Sequence, residues 1–366
     1  MPAPLSIKSR LSELLHDSHI IRTWHNIAVD ALNNRVTDIH IEARSQETIV
    51  RTRIDGRLTL HKQYPIDLHE RLITRIKILA RLDIAEKRLP QDGRLVIGYD
   101  FSHPNIDCRV SILPTLHGEK AVVRILPSRL EELTLNQIGL LPEQLDIFQE
   151  AIKQTNGLIL VTGPTGSGKT RTLYSCLSAL NQVQRNICSV EDPIEIRLPG
   201  VNQVAYHPKA GLDFPTIIRA LLRQDPDVIM IGEIRDADSA QLAIQAAQTG
   251  HLVLSTLHTR NAIGALSRLK SLGIDQESIE SCLRCVSSQR LIRKLCKHCT
   301  PDANKKLCEF CKGSGYFGRI GVHEVLGSKQ LFTSHQTLDI YSVGMQLLRS
   351  GLIDQISLDS ELGSWH

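Results

Sequence analysis

The stretch Gly157–Leu173, GLILVTGPTGSGKTRTL, leaves a chain little freedom of fold. Gly163 to Thr170 spells G-x-x-x-x-G-K-[ST] between an apolar run of strand length and the helix-forming run TRTLYSCLSAL, the context that the pattern requires. Glycines let the backbone curl until its N–H groups point inward at phosphate oxygens, and the following helix adds its positive N-terminal end. Gly163, Pro164, Thr165, Gly166, Ser167, Gly168, Lys169 and Thr170 therefore read as a cradle for the phosphates of ATP. Lys169 would reach the β- and γ-phosphates, and Thr170 would offer its hydroxyl to Mg²⁺. GLILVT, NICSV, DVIMI and HLVLST are short apolar runs with helix-like segments between several of them. That is the pattern of a parallel α/β sheet covered on both faces.

Acids follow two of these runs. DVIMIGEIRD ends its strand in Gly232-Glu233, not in an aspartate that would hold Mg²⁺ directly. Mg²⁺ would then be held through water, with Glu233 behind that water or orienting the attacking one. SVEDPIE puts Glu191 and Asp192 after a second run. Strand ends in such sheets point at the ligand crevice, so Glu191 and Glu233 should converge, and either could polarise the lytic water. In TGHLVLSTLH, His258 falls just past a strand end, where a neutral imidazole could sense the γ-phosphate. His251, at the other end of that run, is the weaker candidate.

The 366 residues suit two domains. Upstream, HNIAVDALN has helical spacing, VTDIHIEA is extended, and ETIVRTRIDGRLTLHK alternates on both sides of Asp55-Gly56, a hairpin signal. LHERLITRIKILARLDI reads as an amphipathic helix, and RLVIGYDF, IDCRVSILPT and KAVVRIL as strands. The expected organisation is a leader over 1–20, an N-terminal α+β domain over 21–127, a linker over 128–141 and the nucleotide-binding domain over 142–366, its last ninety or so residues mostly helical. Apolar content of 42% with 22% charged residues is a globular composition. The net charge of +4 is mild and the basic residues are scattered, so no direct DNA binding is expected. No run has the length of a secretory signal or membrane span, which points to the cytoplasm.

Nine cysteines in such a chain favour a metal site in a reducing compartment over disulfides. Cys296-Lys-His-Cys299 and Cys308-Glu-Phe-Cys311 form two C-x₂-C pairs separated by eight residues. Four thiolates can close a tetrahedral Zn²⁺ site. Cys282 and Cys285 lie in the helical-looking run IESCLRCVSSQRLIRKL and read as buried or half-buried thiols, while Cys108, Cys176 and Cys188 sit in apolar patterns of the core.

The order of these features, with TDIHIE at Thr37–Glu42, RIDG at Arg53–Gly56 and LDIAEKRLPQDGR at Leu82–Arg94, resembles the secretion ATPase superfamily over roughly residues 25–345. Within it the match is to the motors of type II secretion and type IV pilus assembly. The resemblance implies a RecA-like P-loop ATPase domain with a parallel sheet, preceded by a smaller α+β, PAS-like domain and carrying a C-terminal helical part with the zinc knuckle at 296–311. It implies a homo-hexamer at the inner face of the cytoplasmic membrane, driving a platform protein of the inner membrane. It also implies arginines that stabilise charge on the transferring phosphate across the subunit interface, at Arg94 in QDGR, Arg109 in DCRVS, and Arg219 and Arg223 in IIRALLRQDPD. Most assembly motors carry a further docking domain upstream. Only residues 1–20 precede the recognisable part, so a short form is expected. Two other readings stay open: a DNA- or substrate-translocating traffic ATPase, and a nucleotide-holding regulatory subunit that does not turn over.

Overall fold

The structure, a computed structural model, describes residues 7–98, 105–126, 134–299, 308–332 and 338–363, with side chains from His19 onward. The chain divides into two compact units, Met1–Leu130 and Glu131–His366.

In the first unit, α1 (Ile7–Asn33) leads into β1 (Val36–Ala43), β2 (Glu47–Ile54) and β3 (Arg57–Pro65). Then come α2 (His69–Leu79), β4 (Gln91–Ile97), β5 (Ile106–Thr115) and β6 (Gly118–Ile125). Asp55 and Gly56 both take positive φ, as the tight turn between β2 and β3 demands. The strands form one antiparallel six-stranded sheet in the order β3-β2-β1-β6-β5-β4. Strand alternation sends Ile39, Ile41, Val50, Val110, Ile112 and Val123 to one face, where Trp24, Ile27 and Ala31 of α1 and Leu72, Ile73 and Ile76 of α2 cover them. The other face carries the charged side chains.

The second unit holds α3 (Pro142–Ile152), β7 (Gly157–Thr162), α4 (Lys169–Leu180), β8 (Ile187–Glu191), β9 (Val201–Ala205) and α5 (Phe214–Leu221). These are followed by β10 (Val228–Ile231), α6 (Ala237–Gln248), β11 (Leu252–Leu257), α7 (Gly264–Ser271) and α8 (Gln276–Cys282). The unit closes with β12 (Leu283–Leu295), β13 (Tyr316–Gly327), α9 (Ser328–Phe332), α10 (Ile340–Arg349) and α11 (Gln355–Leu362). The seven-stranded sheet runs β13-β12-β7-β11-β10-β8-β9, parallel except for β13. Every residue of β7, β8, β10 and β11 is buried, with one apolar core on each face of the sheet. Aspartates cap α5, α6, α8, α10 and α11, each accepting an N–H of the first turn. Among the described residues, no helix is long and apolar enough to cross a membrane.

One sequence expectation fails here. Beyond Cys282, the last residue of α8, the run is not helical: from Leu283 it forms β12, the 13-residue strand beside β7, and β13 folds back on it. Leu283, Val286, Leu291 and Leu295 recur at near-helical spacing, which disguises the strand. Pairing with β7 on one side and β13 on the other overrides that local pattern. Among the described residues, helices resume only at Ser328. Cys108, Cys176, Cys188, Cys282 and Cys285 are all buried, and burial pushes the thiols of Cys108 and Cys176 up to about 12.

The segment before α3 is anchored to β13. His323, fully buried, donates from Nε2 to the Ile138 carbonyl at 3.0 Å, and its own carbonyl accepts from Gln144 Nε2 at 2.6 Å. Burial holds this imidazole neutral, down to about 4.

Candidate functional site

β7 delivers the loop Gly163–Gly168 to the N-terminus of α4, and Gly163, Gly166 and Gly168 take φ of +140°, +80° and +92°. At Gly163 a Cβ would lie 2.5 Å from the Gln289 carbonyl oxygen, so only glycine lets the loop pass β12. Gln289 is 2% exposed and ties the loop down. Its Nε2 donates to the Ser167 carbonyl at 2.8 Å, and its Oε1 accepts from the Thr172 hydroxyl at 2.8 Å. Sequence reasoning missed Gln289, because its role depends on β12 lying beside β7. Lys169 Nζ curls over the loop and donates to the carbonyls of Gly163 and Pro164 at 2.9 and 3.0 Å. Burial, and next the Arg290 charge, push its ammonium down to about 8.

The loop fits a phosphate chain. Pro164, Thr165 and Gly166 are exposed, and Thr170 is half-buried in the first turn of α4. The Ser167 hydroxyl is buried with no hydrogen-bond partner among the described residues. The Thr170 hydroxyl and nearby carboxylates are the oxygen donors that a hard cation such as Mg²⁺ takes.

The two candidate acids stand in different surroundings. Glu191, at the end of β8, is 3% exposed. One carboxylate oxygen accepts from the Tyr174 hydroxyl, the other from Ser189 Oγ at 2.7 Å and Gln203 Nε2 at 2.9 Å. Glu233 follows β10. The Gly232 amide donates to the Val190 carbonyl and the Gly232 carbonyl accepts from Thr256 Oγ1, both at 2.8 Å, which fixes this tip between β8 and β11. A Cβ at Gly232 would lie 3.1 Å from the Val190 carbonyl oxygen, so an aspartate there would need this backbone to give way slightly. Glu233 Oε1 pairs with Arg235 Nη2, and Oε2 lies 3.6 Å from His258 Nε2. Arg235 Nη2 also stands 3.4 Å from Asp192 Oδ2. Burial lowers the His258 pKa, helped by the charges of Lys169 and Arg235, against a hydrogen bond with the Gly163 backbone. Lys169, Glu233 and His258 thus gather at the C-terminal ends of β7, β10 and β11.

The other predicted residues fall elsewhere. His251 precedes β11 at the opposite end of the sheet, where Nδ1 donates to the Ala246 carbonyl at 3.0 Å. Arg219 and Arg223 are exposed on or just after α5, and Arg223 Nη1 donates to the Arg219 carbonyl at 2.9 Å. Arg94 on β4 and Arg109 on β5 are direct cross-strand partners in the first unit.

Cys296, Cys299, Cys308 and Cys311 bring their Sγ atoms within 4.8 Å of one another. The pairs Cys296–Cys308 and Cys299–Cys311 stand 3.9 and 3.2 Å apart. A tetrahedral zinc with Zn–S bonds of about 2.3 Å sets its sulfurs about 3.8 Å apart, so the donor set fits Zn²⁺. The Cys296 amide donates to the Gly315 carbonyl at 2.9 Å, closing the knuckle at the tip of the β12–β13 hairpin. His298 stacks on Phe310 beside it, ring centroids 3.6 Å apart.

Known proteins resemble this chain over most of its length. Residues 13–349 match the model of the family described as Type II/IV secretion system protein. The protein transport protein HofB homolog of Haemophilus influenzae is 45% identical over 348 residues, covering 95% of this chain and 74% of that protein. The type II secretion system protein HxcR of Pseudomonas aeruginosa is 45% identical over 310 residues, with 84% and 66% covered. The type IV pilus assembly ATPase PilB of Acinetobacter baylyi is 43% identical over 339 residues, with 86% and 58% covered. The chain thus spans between 58% and 74% of the length of these relatives. Among solved structures, the pilus retraction motor PilT with bound ADP is similar at a TM-score of 0.63 and 25% identity, covering 92% of this chain and 96% of that one.

Proposed function

The chain belongs to the Type II/IV secretion system protein family, and from that membership we propose that it is an ATP-hydrolysing motor. In this reading it works as a homo-hexameric ring in the cytoplasm, at the inner face of the membrane. There it drives an inner-membrane platform protein that assembles a type IV pilus or a type II secretion pseudopilus.

The observation that carries the reading is the grouping of Lys169, Glu233 and His258 beside the phosphate cradle. Gly163–Gly168 and Lys169 bind the triphosphate, and the Thr170 hydroxyl would hold Mg²⁺, with Glu233 reaching it through water. Mg²⁺, when bound, neutralises charge developing on the phosphate oxygens. Glu233 is the base that takes the proton of the attacking water. Its carboxylate is partly exposed, at 19%, whereas both oxygens of Glu191 are occupied by Tyr174, Ser189 and Gln203. Glu191 instead orders the end of β8. His258, next to both Glu233 and the cradle, registers whether the γ-phosphate is present. Arg94 and Arg109, with Arg219 and Arg223, supply positive charge across the interface between copies, as an arginine finger does.

The test is ATPase rate against protein concentration, with Glu233→Gln alongside. A motor of this kind has a specific activity that rises as the ring assembles. In single turnover E233Q retains ATP and loses phosphate release by a factor of ~10² or more. A dilute monomer at full activity, indifferent to loss of Arg94 or Arg109, would refute the ring. Tight ATP binding without turnover in the unaltered chain would make it a regulatory subunit.

A further inference from the structure

On the charged face of the six-stranded sheet, strand register lines five ionic residues into one row. Arg53 pairs with Asp38, Asp38 with Arg124, Arg124 with Arg109, and Arg109 with Arg94. Three arginines therefore stand directly side by side on β6, β5 and β4. Like charges directly opposite one another destabilise a sheet. A single acid lies within the row. Asp38, its side chain 8% exposed, places Oδ1 2.8 Å from Arg124 Nε and Oδ2 3.7 Å from Arg53 Nε. The Thr37 hydroxyl donates to Oδ2 at 2.8 Å, which fixes the carboxylate. Arg124 is thus held by its Nε, while its side chain is 66% exposed. Its two terminal nitrogens have no partner among the described residues.

We infer that Arg124 is a third anion-contacting member of this row, presented with Arg94 and Arg109 to the nucleotide polyphosphate of a neighbouring copy, and that Asp38 is the positioning residue that aims it. The inference rests on the proposed ring. From Arg94 to Arg124 is two strand spacings, about 10 Å, the scale of a polyphosphate chain. Guanidinium groups meet phosphate oxygens through paired, charge-assisted hydrogen bonds. A carboxylate on Nε leaves the outer edge of the guanidinium free to point away from the sheet, which a lysine at this position cannot reproduce.

The test uses the full chain and compares Arg124→Gln, Arg124→Lys and Asp38→Asn with Arg109→Gln and with the cradle variant Lys169→Ala. R124Q should lower kcat by ~10-fold or more, as loss of one preorganised donor does, with KM changed far less. R124K should recover only a minor part of that loss. D38N should lower kcat less than R124Q, again with KM nearly unchanged. Equal mixtures of R124Q and K169A chains should exceed the summed activity of the two separately, because one kind of neighbour contact then joins an intact cradle to an intact row. The mixture of R109Q with K169A serves as the reference. Wild-type kcat and KM in R124Q, with R109Q inactive and rescued by K169A, would overturn the role of Arg124 and leave the ring standing. A loss in R124Q that mixing does not rescue, while R109Q is rescued, would overturn it too, by assigning Arg124 to its own copy. Full activity in R109Q and Arg94→Gln would overturn the ring reading itself.

Discussion

Replacing Gln289 by leucine isolates what holds the phosphate cradle in shape. The change keeps the side chain similar in size but removes its amide, and so strands two buried groups: the Ser167 carbonyl and the Thr172 hydroxyl, each now bonded at 2.8 Å. Leaving a buried polar group unsatisfied costs about 1–3 kcal/mol, so Q289L should lose about 2–6 kcal/mol. For a unit of this size each kcal/mol lowers Tm by about 2–4 °C, so the drop should be readily measured by circular dichroism. The same loss frees the loop, so ADP should bind more weakly and protect less against melting. A second substitution sharpens the inference. Thr172 is fully buried, and in Thr172→Val the stranded hydroxyl is gone. The pair Q289L/T172V should therefore be more stable than the two single losses add up to, by about 0.5–3 kcal/mol of coupling. If Q289L melts like the unaltered protein and binds ADP as tightly, or if the two losses are additive, β12 does not secure the loop.

Three other expectations follow from the same geometry. Because the Lys169 ammonium sits at about 8, ATP affinity should be flat below that pH and fall above it. Bound phosphate restores the charge, so above pH 8 binding should take up close to ~1 proton per site, read as a buffer-dependent enthalpy in calorimetry; no dependence at pH 9 would contradict it. His323 is depressed to about 4, so between there and its ordinary pKa near 6.5 the unfolded chain binds the proton and the folded chain does not. Stability should be fully present above pH 6.5 and fall by roughly 3 kcal/mol down to pH 4, a slope that urea titrations should find flattened in His323→Gln. The four-cysteine cluster should carry zinc in stoichiometric amount by mass spectrometry. Cys296→Ser or Cys311→Ser should abolish it and expose the knuckle to proteolysis, with zinc retention in both variants as the contrary result.

Much of this was legible because its signals are local. The apolar runs GLILVT and VIMI coincide with β7 and β10, since a strand buried on both faces must be apolar throughout. Asp55-Gly56 marked its hairpin because few residue pairs accept positive φ. The phosphate loop and the cysteine spacing were readable for the same reason, as each chemistry needs fixed residue types at fixed intervals. What stayed hidden depends on distant partners. β12 looked helical because its apolar residues recur at near-helical intervals, and Gln289 had no local signal at all. Likewise, Glu191 and Glu233 were equivalent as acids after apolar runs. Only Tyr174 and Gln203, brought in from α4 and β9, separate a buried, fully hydrogen-bonded carboxylate from one that is partly exposed. Arg124 carried no motif either, and its place in the row exists only in the register of β1, β6 and β5.

The far end of β12 has two unrelated fastenings. Beyond the cysteine knuckle, the Leu295 amide donates to the Leu352 carbonyl at 2.9 Å, Arg293 lies over the Tyr316 ring at 3.8 Å, and the Tyr316 hydroxyl reaches the carboxylate that caps α11. These contacts hold that end of β12 without the four cysteines, so a chain stripped of metal should keep Gln289 against the phosphate loop and bind ADP as the loaded chain does.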